Sequence, residues 1–104
     1  MEISSYKLNI SHLAQIDLEQ IFKYISTELC NPSAAMELIN DFEKALENVC
    51  LFPESCPLIK NEYVNVKTLR KLVVHNYIVF YRVKEYEIQV IRVLYGMRNY
   101  ETLL

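Results

Sequence analysis

The sequence predicts an α+β fold, a two-layer sandwich in which an N-terminal strand and a helical hairpin pack on an antiparallel sheet in the order β-α-α-β-β-β. Two stretches with apolar residues at helical intervals, each preceded by a capping residue, make the hairpin. Three later runs rich in Val, Ile, Tyr and Phe, separated by polar breaks, make the sheet. Helices grouped ahead of antiparallel strands form separate layers rather than alternating βαβ units.

Tyr6 to Ile10 alternates apolar and polar side chains, as a half-buried strand does. Ser11 then offers a hydroxyl to cap a helix expected over 11–29, with Leu13, Ile16, Ile21, Tyr24, Ile25 and Leu29 at helical intervals. Asn31-Pro32 restarts the pattern: Asn caps, and Pro at the first helical position loses only an amide hydrogen that has no partner there. Ala35, Leu38, Ile39, Phe42, Ala45, Leu46 and Val49 mark one stripe until Pro53 ends it. Two long helices joined by two or three residues must lie antiparallel. Residues 51–66 read as loop. Runs 69–75, 77–83 and 88–95 read as a meander, with breaks at His75-Asn76 and Lys84-Glu85. The last run ends at Gly96, the chain's single glycine, and 99–104 are expected to add a helical turn.

Composition narrows the function classes. A chain of 104 residues fits one domain, expected over 1–104. No run of about eighteen apolar residues supplies a membrane helix, and the N-terminus has no basic-then-apolar signal, so a cytoplasmic location is expected. Cys30, Cys50 and Cys56 are odd in number and lack metal-binding spacing, which reads as reduced thiols. Neither His12 nor His75 pairs in sequence with a cysteine, so no metal and no cofactor are expected. The net charge of −2 conceals an asymmetry. Residues 1–59 carry three basic and nine acidic side chains, a balance of −6; residues 60–104 carry eight and four, a balance of +4. A basic half attracts nucleic acid or acidic proteins.

Phosphate-cradling glycine loops and nucleophile elbows are missing from the sequence. Asp17 and Glu19, two apart on a helix, point to different faces, and Asp17 reads as a solvent-facing residue. The candidates are the basic and aromatic residues of the sheet. Arg70 and Lys71 open one strand, and Arg82 and Arg92 lie within the next two. An arginine in a β-branched strand must reach an open face, an edge or a carboxylate. With a two-residue Glu85-Tyr86 turn, Val83 pairs with Ile88 and Arg82 with Gln89, which puts Arg82 and Arg92 on opposite faces. One residue of slip brings them together. Arg98, after Gly96, sits where a guanidinium contacts phosphate or a partner's carboxylate. His75 and Tyr95 are the candidate proton-transfer or stacking groups near it.

Taken in order, Ser11-x-x-Ala14-x-x-Asp17-Leu18-x-x-Ile21-x-x-Tyr24-Ile25, Asn31-Pro32-x-Ala34-Ala35 and Phe52-Pro53 resemble the helical hairpin of RelE/ParE toxins. Arg70-Lys71-Leu72, Asn76 to Val83, Ile91 to Arg98 and the closing Leu103-Leu104 resemble that family's sheet. The resemblance implies the toxin of a type II toxin–antitoxin pair, a growth inhibitor held in a hetero-oligomer by a cognate antitoxin that wraps its helices and sheet. Relatives of the RelE kind cut messenger RNA on the ribosome. On that branch Arg98 would stabilise the phosphate, Arg70 and Lys71 would position RNA, and His75 or Tyr95 would carry the proton. Ile78 and Leu104, however, stand where that branch places an arginine and a tyrosine. Val79 to Val83 with Ile91 to Leu94 looks closer to the ParE branch, whose members inhibit DNA gyrase without catalysis. There Arg70, Arg82, Arg92 and Arg98 are the expected target- or antitoxin-binding residues. A decayed toxin that only binds antitoxin is the third reading.

Overall fold

The computed structural model describes residues 5–59 and 68–96. Strand β1 (Lys7–Ile10) leads into helix α1 (His12–Lys23), helix α2 (Pro32–Leu51) follows, and the chain closes with β2 (Arg70–Val74), β3 (Tyr77–Lys84) and β4 (Glu87–Tyr95). The helical turn expected at 99–104 lies outside the described residues, as does part of the 51–66 loop.

Ser11 starts α1 by accepting from the Ala14 amide at 3.0 Å, and its hydroxyl donates to the Ile91 carbonyl of β4 at 2.8 Å. One side chain therefore caps the helix and fastens it to the sheet. The helix expected to run regularly to Leu29 changes winding over Tyr24–Glu28, where it widens into a π turn. Ser26 donates to the Phe22 carbonyl, and Thr27 to that of Lys23, so hydroxyls take carbonyls that regular winding gives to amides. Cys30 ends the segment in the left-handed conformation (φ 49°), and the Asn31 amide reaches back to Ile25 at 3.1 Å. Asn31 then caps α2 through Ala34, with Pro32 in the first turn.

The sheet order is β1-β4-β3-β2. Strands β2, β3 and β4 form the expected antiparallel meander, whereas β1 extends it at one edge by pairing parallel to β4 through Val90. A parallel neighbour requires a long crossover, and the helical hairpin with the meander supplies it. Arg82 pairs with Gln89 and Val83 with Ile88, the register of a two-residue Glu85-Tyr86 turn. A bulge between Phe80 and Tyr81 then shifts the ladder, so that Phe80 faces Arg92. The bulge is the one-residue slip: Arg92 now stands opposite a residue two positions from Arg82, instead of falling on the alternate row.

The main core lies between helices and sheet. Ala14 of α1 and Leu38, Phe42, Leu46 and Val49 of α2 pack on Val79, Tyr81, Ile88, Val90 and Val93. A second cluster of Leu69, Ile78, Phe80 and Leu94, with Ile59 packed on it, includes the alternate residues of β3. The central strand is therefore buried on both faces, which is why its sequence is a continuous apolar run. Next to it, Leu58 bridges Arg70, and the Ile59 amide donates to Leu69 at 2.8 Å, so the described part of the 51–66 loop lies along the β2 edge.

Candidate functional site

The expected site residues separate into two ends of the sheet. At one end, the β2–β3 turn holds His75 in the left-handed region (φ 54°), and its Nε2 meets Asp41 Oδ2 of α2 at 2.6 Å. Directly beyond it the Tyr77 ring lies 6.1 Å from Phe42 and 5.9 Å from Tyr95, the latter pair edge to face. The Gly96 amide donates to Asn76 at 2.8 Å, and a Cβ on Gly96 would meet that same carbonyl at 3.2 Å. The lone glycine thus lets the end of β4 close against the turn. Burial, then the neighbouring Tyr24 and Tyr95 phenols, push the Tyr77 hydroxyl above its usual pKa.

Of the other candidates, Arg70, Arg82 and Arg92 lie elsewhere and are hydrogen-bonded within the fold. Arg70 begins β2, at the far end from His75, and donates to the Cys56 carbonyl at 2.6 Å. Lys71 is half-buried beside it, opposite Phe80. Arg82 donates to Gln89 at 2.6 Å, Gln89 to Glu87 at 2.8 Å, and Asn9 to the same Glu87 oxygen at 3.2 Å, a polar ladder across β3, β4 and β1. These bonds hold the Glu87 carboxyl below its usual range, Gln89 contributing most and Asn9 next. Arg98 and Leu104 lie outside the described residues. Ile78 is buried in the second apolar cluster.

Asp17 is the correction. Expected to face solvent, it is 8% exposed and accepts three hydrogen bonds: Arg92 Nε at 2.8 Å, Arg92 Nη2 at 2.9 Å and the Val93 amide at 2.9 Å. The reason is geometric. β1 stops pairing at Val90, so the edge of β4 beyond it has a free amide, and α1 runs against that edge. A carboxylate there satisfies both the amide and the guanidinium. Bonding to Asp17 raises the Arg92 pKa above its usual value, against the opposing effect of burial. Arg92 is therefore committed inside the fold, and the acidic and basic halves of the sequence meet in this pair.

Beside Asp17, a cleft of about 480 Å³ opens between α1 and the ends of β3 and β4, lined among others by Gln20, Tyr24, Tyr77 and Tyr95. The sequence had marked only Tyr95 of these. Tyr24 and Tyr77 were legible as aromatic positions, but nothing in their spacing brings a helix end to a strand end. No three His, Cys, Asp or Glu side chains converge for a metal among the described residues. The three cysteines are free thiols.

The model of the ParE toxin of type II toxin–antitoxin systems, parDE, matches residues 8–100. The chain belongs to the ParE toxin family. The match runs from β1 through the whole hairpin and meander. Among solved structures, this ParE-family chain is similar to the chromosomal ParDE toxin–antitoxin system from P. aeruginosa, with a TM-score of 0.72 and 21% identity over 88% of this chain and 97% of that one. It is also similar to the toxin–antitoxin complex RelBE2 from Mycobacterium tuberculosis, with a TM-score of 0.61 and 15% identity over 88% and 98%. At such identities the structures establish the shared fold. No curated protein sequence matches significantly. No helix of the described residues is long and apolar enough to cross a membrane.

Proposed function

We propose that this ParE-family toxin arrests growth by binding and inhibiting DNA gyrase, without catalysis of its own, and that a cognate antitoxin neutralises it. The observation that carries the reading is the state of the arginines. Arg92 is engaged by Asp17 through two hydrogen bonds, Arg70 by the Cys56 carbonyl and Arg82 by Gln89, and the middle-strand position of the nuclease branch is a buried Ile78. Ribonuclease chemistry needs cations free to meet a phosphate and a base and acid beside it. A sheet whose described arginines brace its own loops and edges suits protein contact better. For the antitoxin, both similar structures are of toxin–antitoxin systems, and the hairpin exposes Glu19, Glu37, Glu43 and Glu47, a surface suited to a basic partner segment.

One observation favours the ribosome-dependent nuclease as a second reading. His75, oriented by Asp41, lies at the same end of the sheet as Tyr95, where an acid–base pair is useful. The experiment is induction without antitoxin, with the DNA-damage response and DNA breaks followed beside messenger cleavage, and supercoiling by purified gyrase assayed with the toxin. Gyrase inhibition with intact messenger supports the first reading; codon-linked messenger cuts without DNA damage overturn it.

A further inference from the structure

The cleft beside the Asp17–Arg92 pair gathers three tyrosines from three separate elements. Tyr24 comes from the π turn after α1, Tyr77 from the start of β3 and Tyr95 from the end of β4. Tyr24 is 53% exposed and Tyr95 47%, so two aromatic rings stand half-open at a concave site. No buried polar side-chain atom among the described residues lacks a partner, which leaves the unbonded phenol tips and the Gln20 amide at the surface. The cleft is also electrically quiet. Among the described residues its one carboxylate, Asp17, already takes three donors, and no lysine or arginine lines it. A phosphate chain gains its affinity from cations, and the described lining of this cleft offers none. Half-open tyrosines on rigid elements provide apolar area plus a hydroxyl, and fixing their two torsions costs little entropy, which is how protein-binding hot spots are built.

We propose that this cleft seats an uncharged apolar or aromatic anchor side chain of the toxin's protein target, held between Tyr24 and Tyr95. The proposal rests on the protein-target reading above and locates the contact. The test uses the full chain with Tyr24→Ala, Tyr95→Ala, the two Tyr→Phe variants, and Gln20→Arg, which puts a cation at an exposed helix position in the cleft. Growth arrest at graded induction, affinity for the antitoxin and the melting temperature are measured for each. The Ala variants and Gln20→Arg are expected to need roughly ten-fold more toxin for arrest. The Phe variants keep most of the activity, and antitoxin affinity stays within about three-fold. Loss of arrest and of antitoxin binding together, at an unchanged melting temperature, still supports the proposal, as a surface the two partners share. Arrest unchanged in the Ala double variant overturns it. So does antitoxin binding lost with arrest kept, or arrest lost only in step with the melting temperature. If the wild type arrests growth but leaves purified gyrase active, the gyrase reading fails while the arrest data still judge the cleft.

Discussion

Replacing Asp17 by alanine tests the account of how β4 is held. The side chains of Asp17 and Arg92 are 9% and 17% exposed, so the pair is shielded from water and ions. Removing one member of a buried pair leaves an uncompensated charge, at a cost of about 3–5 kcal/mol. Part of that is the Val93 amide, which loses its acceptor at the sheet edge and by itself costs about 1–3 kcal/mol. Against a total stability of about 5–15 kcal/mol for a domain, Asp17→Ala is severe. Urea unfolding reads it directly: with a slope of roughly 1–3 kcal/mol per molar, the midpoint drops by about 1 M or more at constant slope. Arg92→Met alone strands the carboxylate and is also costly. The double variant Asp17→Ala/Arg92→Met removes both charges, keeps only the unpaired amide, and so costs clearly less than the sum of the two. A single-variant loss under about 1 kcal/mol, or costs that simply add, would mean that the pair is an ornament of the surface and that something else fixes β4.

Two further outcomes follow from the same physics. Burial drives the Tyr81 and Tyr77 hydroxyls above their ordinary value of 10.0, and the neighbouring Cys56 side chain adds to the effect at Tyr81. A folded-state pKa above the unfolded one contributes stability that is whole below pH 10.0 and is lost as pH rises toward the folded values. Stability should therefore fall from that pH upward in urea midpoints, and Tyr81→Phe should flatten the fall while costing about 1 kcal/mol at neutral pH through its lost bond to the Pro53 carbonyl; an unchanged alkaline slope in that variant counts against the assignment. At the β2–β3 turn, His75→Gly gives up a half-exposed hydrogen bond to Asp41 worth about 0.5–1.5 kcal/mol and relieves a left-handed conformation that costs a side chain about 1 kcal/mol. The two nearly cancel, so His75→Gly stays within about 1 kcal/mol of the parent while His75→Val, β-branched at positive φ, loses more; a His75→Gly loss beyond about 2 kcal/mol would show a stronger His75–Asp41 contact than its exposure permits.

Much of the architecture is local and was readable as such. Ser11 and Asn31-Pro32 start helices because a side-chain oxygen or a missing amide hydrogen solves a problem within one turn, and Pro53 bounds the second helix for a related reason. The β2, β3 and β4 runs and the two tight turns between them follow from side-chain shape and polarity along a few residues. The family's ordered motif is likewise a property of the chain alone, and the family model matches over residues 8–100.

What tertiary structure decided is whatever depends on two distant segments meeting. Spacing showed that Asp17 and Glu19 face apart, but only the point where β1 leaves the β4 edge determines which of them turns inward. The bulge between Phe80 and Tyr81 is a compromise of the whole sheet, and it moves Arg92 by one register step that no turn residue announces. Ser26 and Thr27 are compatible with an ordinary helix end, so the π turn over Tyr24–Glu28 was invisible beforehand, as was the meeting of Tyr24 with Tyr77 and Tyr95 at one cleft. Secondary structure answers to neighbours a few residues away, whereas a buried charge, a strand edge or a cleft answers to whichever distant groups arrive beside it.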